Sequence, residues 1–164
     1  MFKINEHVVY KRDVCKIKGI KHNDFNNLDY YVLAPIDDDS LTIEVPMQNK
    51  GGHIRALISK KEVQTIINEI PNISIIEDHG RMIESEYKKL LSTGDHLDLV
   101  KIIKTTHLRN QEREAAGKKI GEKDSEYFKL TEKILYNEFS LVLGMKYEDT
   151  KKYVIDKVEN ISKK

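Results

Sequence analysis

Between Ala56 and Pro71 the chain reads ALISKKEVQTIINEIP, and within this stretch its hydrophobic rhythm changes. Ser59 stands three residues before Glu62, the spacing at which a hydroxyl and a carboxylate each accept a hydrogen bond from the other's backbone N–H and so start a helix. Val63, Ile66, Ile67 and Ile70 follow at steps of three and four, which line one helical face, and Pro71 stops it. Before Ser59 the rhythm is that of strands.

Working outward toward the N-terminus, four apolar or alternating runs predict four strands: HVVY at 7–10, VCKIKGIK at 14–21, YYVLAP at 30–35 and LTIEVPM at 41–47. Residues that favour turns separate them, at Lys11 to Asp13, Asn23 to Asp29 and Pro35 to Ser40. In the second run Val14, Lys16 and Lys18 alternate with Cys15, Ile17 and Gly19, so one face alone is strongly apolar. So few and such short strands predict a small antiparallel barrel or curled sheet.

Toward the C-terminus the pattern stays helical. Ile83, Tyr87, Leu90 and Leu91 share a face up to Gly94, which supplies the left-handed residue that helix ends favour, and Asp95 can cap the next helix. That helix, 96–116, carries Leu99, Ile102, Ile103 and Thr106 on one side and Lys101, Lys104 and Arg109 on the other, which predicts a basic outer face. After the turn 117–121, Phe128, Thr131, Leu135, Phe139 and Val142 mark a further helix ending at Gly144, and Val154, Val158 and Ile161 mark a last one. Short connections predict antiparallel packing. The expected fold is therefore α+β, with a β domain over 1–58 and an all-α bundle over 59–164.

Composition narrows the function classes. The 164 residues are 39% hydrophobic and 34% charged with a formal net charge of +1, so the chain should fold, and it lacks the strong basicity of a free-standing nucleic-acid binder. Its single cysteine, Cys15, excludes an internal disulfide and a multi-cysteine zinc site and fits a reducing compartment. MFKINEHVVY has no signal-peptide apolar core and no long apolar run follows, so a cytoplasmic, membrane-free protein is expected.

Catalytic constellations are missing. His7, His22, His53, His79, His96 and His107 never fall at the i, i+4 spacing that aims two imidazoles at one metal, so no metal site is expected. Asp37, Asp38 and Asp39 lack the alternating ligands of a calcium loop and read as a charged turn. GKKIGEK, 117–123, is one residue short of a phosphate-loop spacing, follows a helix instead of a strand, and reads as a basic turn with a minor capacity for phosphate contact. There is no Gly-x-Ser-x-Gly elbow, and Cys15 in a strand reads as a core residue. Neither an enzyme nor a cofactor or small-molecule substrate is expected. What remains is a set of basic side chains able to touch phosphates without reading sequence: Arg81, Lys88 and Lys89, then Lys101, Lys104 and Arg109, then Lys118, Lys119 and Lys123.

The order of motifs resembles the CarD-type bacterial transcription regulators, whose N-terminal module also occurs in transcription-repair coupling factor. The resemblance runs through VVYKRDVCKIKGI, DYYVLAPIDDDSLTIEVPMQN and RALISKKEV in the first half. In the second half it runs through KKLLSTGDHLDLVKIIKTTHLRNQERE, the GEK of 121–123 and KILYNEFSLVLG. It implies a Tudor-like (SH3-like) barrel that docks on the RNA polymerase β subunit, and a helical domain that contacts promoter DNA and modulates open-complex stability. Tethering to polymerase would let weak phosphate contacts suffice.

On this resemblance the polymerase-binding residues are Thr42, Ile43, Glu44, Val45 and Pro46 of the fourth strand, together with Phe25. The DNA-binding residues are His79, Arg81, Met82, Lys88, Lys89 and Lys123. The chain departs from the family at two places. Glu44 stands where many members have a basic residue that contacts polymerase, and Gly80 falls near the place of a tryptophan wedge, in a chain without tryptophan. A monomer is expected in isolation. The competing expectation is a polymerase-binding adaptor without productive DNA contact.

Overall fold

The computed structural model of the protein describes residues 1–77 and 82–162, with side chains described as far as residue 158. The architecture is α+β: a five-stranded antiparallel sheet is followed by helices, in two compact units, Met1–Leu57 and a second beginning at Ile58. Strands β1 (His7–Tyr10), β2 (Asp13–Asn23), β3 (Leu28–Pro35), β4 (Ile43–Pro46) and β5 (Ile54–Ala56) lie in the order β4-β3-β2-β1-β5. The first four match the four apolar runs. β5 is an addition, and its three residues, IRA, are too short to carry a period.

Val8, Cys15, Ile17, Tyr31, Leu33, Val45 and Ile54 form the core of the sheet unit. Gly19 sits at a β-bulge, where the β2–β3 register shifts between Ile17 and Gly19. The single-faced reading of β2 fails at its start, because Val14 and its cross-strand partner Val9 are buried as well. Burial also governs Cys15, whose thiol is fully covered and pushed up to about 11 by desolvation first and Asp13 second. Holding the thiol protonated above its ordinary pKa stabilises the fold at lower pH, so stability should fall as pH rises from about 9 through about 11. At pH 8 Cys15 in folded protein should react with a maleimide at least roughly a hundredfold more slowly than in urea; equal rates would contradict the burial.

The helical unit comprises α1 (Lys60–Glu69), which runs into a 3-10 turn at Ile70–Asn72, then α2 (Ile83–Thr93), α3 (His96–Ala115), α4 (Glu122–Leu143) and α5 (Tyr147–Ser162). Its caps are those the sequence predicts. Ser59 and Glu62 form the capping box, Asp95 accepts from the Leu97 N–H at 2.8 Å, and Gly94 and Gly144 end α2 and α4 at φ of 69° and 66°. α4 is the central helix, because its residues 134–139 are buried without a break and so touch neighbours on every side. Tyr87, Leu99, Ile102, Leu135, Phe139 and Val154 carry the packing between helices.

The predicted basic outer face of α3 is corrected at two positions. Lys104 Nζ donates to the carbonyls of Ile70 and Ile73, at 2.7 and 2.6 Å, on either side of the 3-10 turn that follows α1, where the Ile70 carbonyl also accepts from the Ile73 N–H. Arg109 is turned toward Asp124 and keeps only a fifth of its side chain exposed. Helix amphipathicity places a residue on an angle around the axis, but long stems let its charged head fold back to a carbonyl or carboxylate.

Candidate protein-docking edge and nucleic-acid surface

The two margins of the sheet are finished differently. Lys11 N–H donates to the His53 carbonyl in register with the β1–β5 ladder, so by antiparallel alternation Ile54 and Ala56 turn their backbone groups away from β1. The Asn49 side chain meets them: its Nδ2 donates to the Ile54 carbonyl at 2.9 Å, and its Oδ1 accepts from the Ile54 N–H at 3.2 Å. Arg55 Nη1 donates to the Ala56 carbonyl at 3.0 Å. On the outer margin of β5 three of the four outward groups are thus taken from its own neighbourhood, and the Ala56 N–H alone has no partner among the described residues.

At the opposite margin Met47 N–H donates to the Asp29 carbonyl in register with the β3–β4 ladder. The same alternation commits the backbones of Ile43 and Val45 to β3 and turns those of Glu44 and Pro46 outward. The Pro46 carbonyl is taken by the Asn49 N–H, whereas the N–H and carbonyl of Glu44 have no partner among the described residues. An unpaired edge of this kind is a template for an incoming strand.

Of the residues singled out on β4 and just before it, Thr42, Glu44 and Pro46 are exposed, while Ile43 and Val45 turn toward the core and commit their backbone groups to β3. The Glu44 carboxylate accepts from Lys21 Nζ at 3.0 Å, an exposed pair that contributes little to stability. Phe25 is fully exposed in the β2–β3 turn, at the end of the sheet where β4 finishes, and Asn23 Oδ1 fixes that turn by accepting from the Phe25 N–H at 2.9 Å. Beside it opens a groove of about 400 Å³ lined by Leu28, Val45, Pro46, Asn49 and His53. Asn49, which takes the outward groups of Ile54 at one margin and ties up Pro46 at the other, was missed by sequence reasoning. Its only signal is an asparagine in a Gly-rich link, a position tolerant of its left-handed φ of 49°.

In the helical unit His79 and Arg81 lie outside the described residues, as does Gly80. Met82 is exposed just before α2. Lys88 and Lys123 are brought together, since both ammonium groups approach the same Glu84 Oε1, at 3.7 and 3.8 Å. Lys123 also lies 3.8 Å from Glu126, and Lys89 is exposed with no ion pair among the described residues.

What positions Lys123 is the start of α4, and the NQER and GEK segments find their structural reason there. Asn110 Oδ1 accepts from the Gly121 N–H at 3.0 Å, and Asn110 Nδ2 donates to Ser125 Oγ at 3.3 Å. Asp124 accepts from the Tyr87 hydroxyl at 2.8 Å and from Arg109 Nε at 2.9 Å, which ties α2, α3 and α4 together beneath Lys123. A Cβ at Gly121 would lie 3.3 Å from the Arg113 guanidinium carbon, so glycine lets that head group settle over the turn.

Among the described residues no three His, Cys, Asp or Glu side chains gather closely enough to hold a metal ion, and no helix is long and apolar enough to cross a membrane. Compared with known proteins, the chain matches no family model and no curated protein.

Proposed function

We propose that this protein is a non-enzymatic, CarD-type regulator of transcription that works in the cytoplasm. Its sheet unit, curled as a Tudor-like barrel, docks on the RNA polymerase β subunit, and its helical unit touches the phosphate backbone of promoter DNA and alters the stability of the open complex. The observation that carries the reading is the asymmetry of the sheet margins: on β5 Asn49 and Arg55 take every outward backbone group but the Ala56 N–H, while Glu44 on β4 keeps both of its backbone groups available. Thr42, Pro46 and Phe25 flank that edge and would supply side-chain specificity. The open-complex lifetime measured with and without the protein tests the reading, which expects a change; an unaltered lifetime at saturating protein counts against it.

For the DNA contact, Lys88, Lys89 and Lys123 replaced together by glutamine should flatten the dependence of log affinity on log salt by roughly 0.9 for each phosphate no longer neutralised. The same slope in wild type and variant would remove these lysines from the interface.

One observation favours the second reading, an adaptor that docks on polymerase without productive DNA contact. Glu84 and Glu126 lie against Lys88 and Lys123 and offset their charge. Under that reading the triple variant leaves any DNA affinity unchanged while polymerase is still captured.

A further inference from the structure

A cleft of about 320 Å³ opens beside the C-terminal half of α3 and the turn after it, lined by Arg109, Glu112, Arg113, Ala116 and Lys118. Arg109 and Arg113 are one helical turn apart and line the same cleft, an arrangement of like charges that a bound anion would relieve. Arg109 is offset by Asp124 at 2.9 Å. Arg113 is half-buried over Gly121, yet its guanidinium has no hydrogen bond or ion pair among the described residues. A planar fork of five donors taken partly out of water without an acceptor is a group prepared for an oxyanion. Lys118 supplies an exposed ammonium at the rim, and Glu112 is the one opposing carboxylate of the lining. Counting Arg109, Arg113 and Lys118 against Glu112 and Asp124 leaves one net positive charge, which matches a phosphate group carrying a single negative charge.

We infer that the Arg113–Lys118 cleft holds a phosphate group, and that a phosphodiester of a nucleic-acid backbone is its occupant. The choice of phosphodiester rests on the proposed DNA contact; the phosphate site itself does not. Because Arg113 lies over Gly121, two residues before Lys123, the cleft extends the phosphate-contacting surface from the Glu84 cluster along the α3–α4 turn.

The test uses the full chain and two probes, a short duplex DNA and inorganic pyrophosphate, with Arg113→Gln, Glu112→Gln and Lys118→Gln. Arg113→Gln should weaken DNA binding roughly tenfold and lower the salt slope by about 0.9, the value for one phosphate. Glu112→Gln should shift affinity the opposite way, a result that a merely unfolded variant cannot produce. If pyrophosphate raises the melting temperature of wild type but not of Arg113→Gln, and DNA binding is untouched, the phosphate site stands and its occupant is a free phosphate compound. If none of the three substitutions alters the response to either probe, the inference is overturned. An effect of the Lys88, Lys89 and Lys123 substitutions alone would then leave the proposed DNA contact standing without the cleft.

Discussion

Asp124→Ala should destabilise the helical unit by about 3–5 kcal/mol, the range in which breaking one side of a buried ion pair falls. Asp124 is 3% exposed, and its two oxygens accept from the Tyr87 hydroxyl and Arg109 Nε. Alanine takes the Asp124 oxygen away from a fully buried phenol and the Asp124 carboxylate away from a guanidinium that is only 20% exposed. A loss of that size is a large fraction of the stability of an ordinary domain, roughly 5–15 kcal/mol. Urea unfolding of wild type and variant measures it. The double variant Arg109→Met with Asp124→Leu should recover the ionic part of the loss, since it removes the charge together with its partner, while the part owed to the Tyr87 hydroxyl remains. If Asp124→Ala unfolds at the wild-type urea midpoint, the triad does not tie the three helices together. The functional consequence is local: Lys123 is the residue before Asp124, so loosening the start of α4 should also blur any contact Lys123 makes.

How far this was legible in the sequence depends on the range of the interaction. Caps are local, and Ser59 with Glu62, Asp95, Gly94 and Gly144 all stand where the spacing puts them. The alternation of β1 to β4 was legible because each run is long enough to show its period, whereas β5 is defined by its pairing to β1 and not by its own three residues. Lys104 and Arg109 were misplaced for the converse reason. Their positions on α3 were right, but the carbonyls of Ile70 and Ile73 and the carboxylate of Asp124 that draw them in come from other segments. The candidate docking strand could be named from its motif, while which of its backbone groups stay open is a property of ladder register. That register separates Glu44 from Ile43 and Val45.

Glu44→Pro should abolish capture of polymerase, a loss of about tenfold or more in affinity, while leaving the sheet unit folded. Proline removes the Glu44 N–H, which bonds nothing within the described protein, and its fixed φ suits a strand at a sheet edge. The substitution also removes the Lys21 pair, but both partners are exposed, so the expected cost to stability is about 0–1 kcal/mol. Glu44→Ala separates the two contributions. It deletes the carboxylate and keeps the N–H, so it should retain docking if the backbone is what the partner reads.

The decisive measurement is recovery of RNA polymerase from native lysate at low salt on immobilised wild type, Glu44→Ala and Glu44→Pro, with unfolding curves for all three. Polymerase is expected on the first two and background on the third, at matched stability. Polymerase held equally by all three, or by none of them while folded, would contradict docking through the open β4 edge.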